Sequence, residues 1–388
     1  MSASKKPAHL FLIFLIPCVV FFFFGCRKSD PLASINPLDE ILNSEDTAIA
    51  TVMDSPEKYE IQIRYSRIRR SADSLNFTHF DYQVDAAQYF YPASTVKFPI
   101  AVAALEKLNE IDSLDRNTRF YIEGDSVENT FAEDIVKIFA VSDNHANNRL
   151  FEFLGQDNIN QRIQEKKAGP LRISHRLGFH RDDRATQPLV LYLNDTVTTL
   201  SETIHNQPAL PLDIDGILKG KGYYEKDSLV MEPFDFALKN YLPVSTLHGL
   251  MQRVIFPEYF PPDQRFNLSA DQRDFLLSTM KILPREAGYD PEQYPDGYCK
   301  FFLYGDTKQP IADHIEIYNK VGFAYGTLTD CAYIRDTQTG VEFILTATIL
   351  VNKDGIFNDD VYEYDTVGLP FLAALGRELY QYELAGVK

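Results

Sequence analysis

The stretch "YPASTVKFPIAVAALEKL", residues 91–108, decides how this chain is read. A Tyr-Pro turn leads into an apolar run whose spacing is helical from Pro99 to Leu108, and Ser94 and Lys97 stand at its start. Residues three apart in a first helical turn share a face, so the Ser94 hydroxyl and the Lys97 amine can meet. A helix N-terminus there also offers backbone N–H groups and positive potential to a developing oxyanion. Burial in the aliphatic helix lowers the Lys97 pKa toward a neutral amine able to take the serine proton. The same residues equally fit a helix-capping serine and a lysine that snorkels to solvent. Spacing alone does not choose, because Ser-x-x-Lys occurs four times, from Ser2, Ser55, Ser94 and Ser278. Of these only Ser94 opens a strongly apolar helix.

Two other segments carry chemistry. In "FAEDIVKIFAVSDNHANNRLFEFLG", residues 131–155, two helices meet at Ser142, Asp143 and Asn144. A hydroxyl and a carboxamide there can relay a proton to a leaving nitrogen and hold a substrate amide; all three residue types also favour helix caps. In "NKVGFAYGTLTDCAYI", residues 319–334, Lys320 ends a strand, with Val321 and Gly322 after it. A glycine inside a strand weakens it and often marks the close approach of another backbone. A substrate peptide can add along such an edge while Lys320 draws its carboxylate. The Phe323 N–H then joins that of Ser94 as a second oxyanion donor. The plainer alternative is a strand bearing a surface lysine.

Around these segments the pattern is strand-rich at both ends and helical between. Residues 59–69, "YEIQIRYSRIR", alternate apolar and polar side chains, and "THFDYQVDA" follows the turn "RSADSLN" as a second strand. Residues 314–352 read as three antiparallel strands with turns at 324–326 and 337–340. "LSADQRDFLLSTMKIL" is a helix with Ser269 as N-cap, and "TVGLPFLAALGRELYQYE" closes the chain as another. Residues 184–245 are irregular. The terminal strands are expected to form one sheet, with the helical middle packed against it as a second lobe.

The chain begins with two lysines, a 15-residue apolar run from Leu10 to Phe24, and then Gly25 and Cys26. That order reads as an export signal, too short for a usual membrane span of ~20 residues, with an uncleaved anchor as the alternative. "FFGC" resembles a bacterial lipobox, which implies that Cys26 is lipidated and becomes the mature N-terminus. The expected location is the cell envelope or periplasm, tethered to a membrane by that lipid. Residues 26–54, polar and proline-bearing, are expected to be a flexible tether, and residues 55–388 the folded domain. Loss of residues 1–25 removes Lys5 and Lys6 and no acid, taking the net charge from −17 to −19. Nucleic acid, which needs a basic footprint, is thereby excluded as a partner. Cys299 and Cys331 either pair or remain buried thiols.

Taken together, S-x-x-K, S-D-N and K-x-G in this order, with helices and strands so placed, resemble the class A β-lactamases and related penicillin-recognising serine hydrolases. The resemblance covers roughly residues 55–382. It implies an α/β (α+β) fold of β-lactamase/transpeptidase type, with a five-stranded antiparallel sheet with flanking helices (55–90 and 290–388) and an all-helical lobe (91–289). It further implies Ser94 as acylated nucleophile, Lys97 as its base, Ser142 as proton relay, and Asn144 and Lys320 as substrate-orienting residues. Gly322 and Phe323 belong to the same substrate-binding strand. The chemistry involves no metal or cofactor. The expected substrate is a β-lactam or a cell-wall peptide, met by a monomer.

Two positions depart from the family pattern. Where a hydroxyl residue usually separates the lysine and glycine, this chain has Val321, so carboxylate recognition is expected to be weaker or different. The family's deacylating glutamate should fall within "RISHRLGFHRDDRATQP", residues 172–188, where the only acids are Asp182 and Asp183. Either could serve as the deacylation base, or both could simply pair with Arg181 and Arg184.

Overall fold

A computed structural model describes residues 36–71, 74–178 and 184–387, together with residues 1, 2 and 4. The apolar leader and Cys26 lie outside the described residues, as do Asp182 and Asp183. Among the described residues no helix is long and apolar enough to cross a membrane.

The alternating segments become a five-stranded antiparallel sheet. Its strands are β1 (Gln62–Ser71), β2 (Ser74–Tyr82), β3 (Ile315–Ala324), β4 (Thr327–Asp336) and β5 (Glu342–Leu350), in spatial order β3-β4-β5-β1-β2. The chain's two ends therefore share one sheet, joined where Tyr65 of β1 pairs with Leu345 of β5. β4 is buried along nearly its whole length, so it carries apolar or hydrogen-bonded residues on both faces.

Each sheet face has its own core. On one side Val321, Leu328, Ile334, Leu345 and Ile349 pack with Phe371, Leu372, Leu375 and Leu379 of the C-terminal helix α9, Leu369–Val387. On the other side lies α7, Val244–Ile255, against β1, β4 and β5. Its His248 is buried, with Nε2 2.6 Å from Ser66 Oγ and Nδ1 3.0 Å from Thr346 Oγ1. Burial holds this imidazole well below its ordinary pKa, so it is a neutral ring completing a polar seam in the core.

The expected tether is corrected over its second half. Residues 37–41 and 47–53 are helices α1 and α2, capped by Asn36 Oδ1 (from Leu38 N, 3.0 Å) and Asp46 Oδ1 (from Ala48 N, 2.8 Å). Leu38, Ile41, Leu42, Ile49 and Val52 are buried in the same core as α9. Their i, i+3, i+4 spacing is a helical stripe, which the flanking prolines and acids obscure in the sequence.

The helical lobe is built on α3, Lys97–Leu108, apolar on every side and buried accordingly. Around it stand α4 (Phe131–Val141), α5 (Asn144–Leu154), α6 (Gln156–Glu165) and α8 (Ala270–Met280). The lobe is not purely helical, because Arg119–Ile122, Asn129–Thr130, Leu189–Tyr192 and Thr198–Leu200 form a small four-stranded antiparallel sheet. The irregular middle also contains short strands. Gly222–Glu225 pairs with Ser228–Val230 and, in parallel, with Ile356–Phe357. This brings residues 205–241 beside the 352–364 loop, where Tyr89, Tyr91, Phe236, Tyr241 and Phe357 form a third core.

Candidate active site

Ser94 lies in a single 3-10 turn, Ala93–Val96, that runs directly into α3. Neither that turn nor α3 is capped by a side chain, so Ser94 is not spent as a cap. The turn is entered through Ala93 at φ 46°, a left-handed conformation uncommon for a residue with a Cβ. It is closed by Thr95, whose N–H and hydroxyl both donate to Pro92 O, at 3.1 and 2.6 Å.

Lys97 does not snorkel; its side chain is fully buried. Its Nζ donates to Asn144 Oδ1 at 2.6 Å, to Ser142 Oγ at 3.3 Å and to the Ser142 carbonyl. Burial first, and then the neighbouring Lys320 charge, drive its pKa well below the ordinary lysine value. The hydrogen bonds of Lys97 go to the Ser142 corner and none goes to Ser94 Oγ.

That corner is a product of two helix ends. α4 begins in a reciprocal cap between Thr130 and Glu133 and stops at Ser142, whose φ of 58° ends the helix. Asp143 then caps α5 by accepting from Ala146 N at 2.8 Å. A buried ion pair, Arg149 to Asp134 at 2.5 Å, locks the two helices together. Ser142 Oγ accepts from Lys97 and, at 2.8 Å, from Lys320 Nζ. With both lone pairs engaged, its own O–H is left to donate elsewhere. The bond from Lys97 likewise fixes which end of Asn144 is oxygen, and turns the amide N–H₂ away.

β3 supplies the third side. Lys320 is buried, bonded to Ser142 Oγ and, at 2.8 Å, to Val321 O; burial pushes its pKa down to about 8. Gly322 explains itself by contact. A Cβ there would lie 2.6 Å from Pro92 O, 2.8 Å from Thr95 N and 2.9 Å from Ser94 N. Only a glycine lets the strand press on the Ser94 turn, and the following residue, Phe323, lines the same cleft as Ser94. Val321 faces away, buried in the α9 core, and offers the cleft nothing.

A second buried network, which the sequence reading missed, supports β3. Lys300 Nζ donates to Asn319 Oδ1 (2.7 Å) and Met280 O (2.9 Å), while Asn319 Nδ2 donates to Asp330 Oδ1 (2.8 Å). Asp330 also accepts from Phe301 N at 3.1 Å and Phe302 N at 3.3 Å. Burial moves Lys300 down and Asp330 up, to about 8 and about 6. The available signal was a polar Asn and an Asp inside strands that are otherwise apolar; such groups require buried partners. Cys299 and Cys331 are both buried free thiols.

The 172–188 segment is anchored to α5 on both sides of its undescribed centre. Asn148 clasps Leu177 with both amide atoms, at 2.8 and 3.0 Å. Arg176 forms a buried bidentate pair with Glu152, at 2.5 and 2.7 Å. Gly178 leaves the Asn144 amide its space, since a Cβ there would fall 2.9 Å from Asn144 Nδ2. Asp182 and Asp183, expected as candidate bases, lie outside the described residues. His175 is engaged within the fold. Its Nδ1 lies 2.6 Å from Arg176 O, its Nε2 accepts from Asn240 N at 3.3 Å, and burial holds it at about 4.

A cleft of about 480 Å³ opens where these parts meet, with Ser94, Asn144, Gly178 and Phe323 on its walls. Three segments distant in sequence thus converge on one turn. The architecture is that of the β-lactamases and transpeptidases. A model of the Beta-lactamase enzyme family matches residues 48–206, which include Ser94, Lys97, Ser142 and Asn144. The chain is similar in fold to a β-lactamase from Xanthomonas campestris pv. campestris, with TM-score 0.52 and 13% identity over 89% of this chain and 99% of that one. It is also similar to a class A β-lactamase from Mycobacterium abscessus (TM-score 0.50, 16% identity, 87% and 99% covered). A β-lactamase from Sphaerobacter thermophilus gives TM-score 0.50 at 14% identity, with 87% and 96% covered. No curated protein sequence matches the chain.

Proposed function

We propose that this chain is a serine hydrolase that opens β-lactam amides through an acyl-serine intermediate. One observation carries the reading: the Ser142 hydroxyl is held between two buried lysines, Lys97 and Lys320, at the foot of the Ser94 turn. Ser94 Oγ attacks the carbonyl and its proton passes to Lys97 in its neutral form, which burial favours. In that form one of the three bonds that Lys97 donates is given up to free the lone pair. The oxyanion is received by the N–H groups of Ser94 and Phe323. Protonation of the leaving nitrogen comes through the Ser142 O–H, recharged from the lysine pair. Asn144 and Lys320 orient the substrate amide and carboxylate. Water then releases the acyl group, with Asp182 or Asp183 as the base. Cys26, lipidated after removal of the leader, would hold this monomeric enzyme in the cell envelope.

A second reading is a peptidase on D-Ala-D-Ala-type cell-wall peptides, or a penicillin-binding sensor that stays acylated. It is favoured by the lack of a glutamate anywhere in residues 172–188. Burst kinetics with a chromogenic β-lactam separate these readings. Sustained turnover after the burst is the expected result. A burst of one equivalent followed by no release would favour the sensor, and turnover of peptides alone the peptidase.

A further inference from the structure

The walls of the cleft over Ser94 carry one formal charge, the carboxylate of Asp360, and no basic side chain among the described residues. Lys97 and Lys320 do not line it; both are buried at the Ser142 corner, next to the lining residue Asn144. Asp360 stands on an exposed loop in a left-handed conformation (φ 60°), as does Asn358. The loop is held in place rather than loose. Asn358 N donates to Tyr362 Oη and Gly326 N to Tyr364 Oη, each at 2.8 Å, and Asn358 Nδ2 donates to Tyr224 O at 2.8 Å. Asp360 itself makes no ion pair or hydrogen bond among the described residues, yet its charge is felt by Tyr325, Tyr362 and Tyr364, whose phenols are raised chiefly by burial with Asp360 among the lesser causes. The Tyr362 and Tyr364 rings lie 5.3 Å apart, and Tyr364 packs edge-on to Phe323 at 5.7 Å. A second cavity, about 720 Å³, shares Phe323, Asp360, Tyr362 and Tyr364 with the first, so the carboxylate stands where the two meet.

A carboxylate that shares a cleft wall with several aromatic side chains can attract an ammonium group by charge and, where a ring face is presented, by its negative quadrupole. We propose that Asp360, with Tyr325, Tyr362 and Tyr364, forms an ammonium-accepting subsite beside Ser94, and that the preferred substrate is zwitterionic. Its carboxylate is drawn by the charge of Lys320, buried behind Ser142, and its primary amine by Asp360 at the wall. The proposal rests on the acyl-serine reading and names the substrate class for that site.

The test compares two β-lactams that differ by one amino group, ampicillin and benzylpenicillin, by the rate at which each acylates Ser94 in the full-length protein. The expected result is acylation by ampicillin about tenfold faster, the scale of one exposed ion pair joined to a cation–π contact. Asp360→Asn should abolish that preference, bringing the two acylation rates together, with the thermal transition unchanged since the side chain is exposed and makes no hydrogen bond among the described residues. Equal rates in the wild type, or a preference that survives in Asp360→Asn, would overturn the subsite and leave the acyl-serine reading intact. No acylation of Ser94 by either compound would overturn both.

Discussion

At the scale of single residues, the site is a problem of how to keep two lysines in different states within reach of one hydroxyl. Both are buried, but Lys97 is pushed well down by burial and by its neighbour, whereas Lys320 settles at about 8. The two amines are thus pushed down to different degrees, so that the proton is held more firmly at Lys320 than at Lys97, the division that the proposed acyl transfer needs. Acylation is therefore expected to hold through neutral pH and to fall above about 8, as Lys320 loses its proton. Lys320→Arg, which cannot lose its charge, should move that falling limb to higher pH even if the maximal rate drops. A limb that stays near 8 in the arginine variant would assign it to another group. Much of this was readable in the sequence, because Ser94 and Lys97 lie within one turn, and Ser142 and Asn144 within one corner. The support of Lys320 was not, because Lys300, Asn319 and Asp330 meet only when β3 pairs with β4.

At the scale of elements, the strands and the buried helix α3 follow from periodicity, and their bounds fall within a few residues of those expected. Two elements were misjudged for a physical reason. α1 and α2 are short, and their few apolar residues sit among prolines and acids, so composition pointed to a tether. Packing decides otherwise, since Leu38 and Ile49 are fully buried against the core that α9 covers. Leu38→Ala is expected to lower the unfolding free energy by about 2–5 kcal/mol, the cost of a core cavity. Urea denaturation measures it; a loss under about 0.5 kcal/mol would show that these helices are not part of the cooperative unit. The 352–364 loop was equally illegible, because its place at the cleft depends on a parallel pairing between Ile356–Phe357 and Gly222–Tyr223, more than 130 residues away.

At the scale of the whole molecule, two lobes and a third aromatic core close around one cleft, and the closure buries titratable groups that answer to pH. His175 stacks on Tyr91 at 6.3 Å, three residues before Ser94, and is held at about 4 against an ordinary 6.5. Its folded pKa is depressed, so the unfolded chain takes up the proton first as pH falls. The stability it contributes is present above 6.5 and is lost between there and about 4, up to ~3 kcal/mol. Asp134 and Asp330, held up to about 6, act in the opposite direction. The difference between wild type and His175→Gln isolates the histidine: the variant should lose less stability between pH 7 and 4. Parallel stability curves for the two proteins would refute the assignment. The convergence of the three segments on one serine has a still more direct test, the intact mass of the protein after exposure to benzylpenicillin. The wild type should gain the mass of one penicilloyl group, located at Ser94 by peptide mapping, and Ser94→Ala should gain none while unfolding at nearly the same temperature. A penicilloyl group found in Ser94→Ala, or on any other residue of the wild type, would contradict the account.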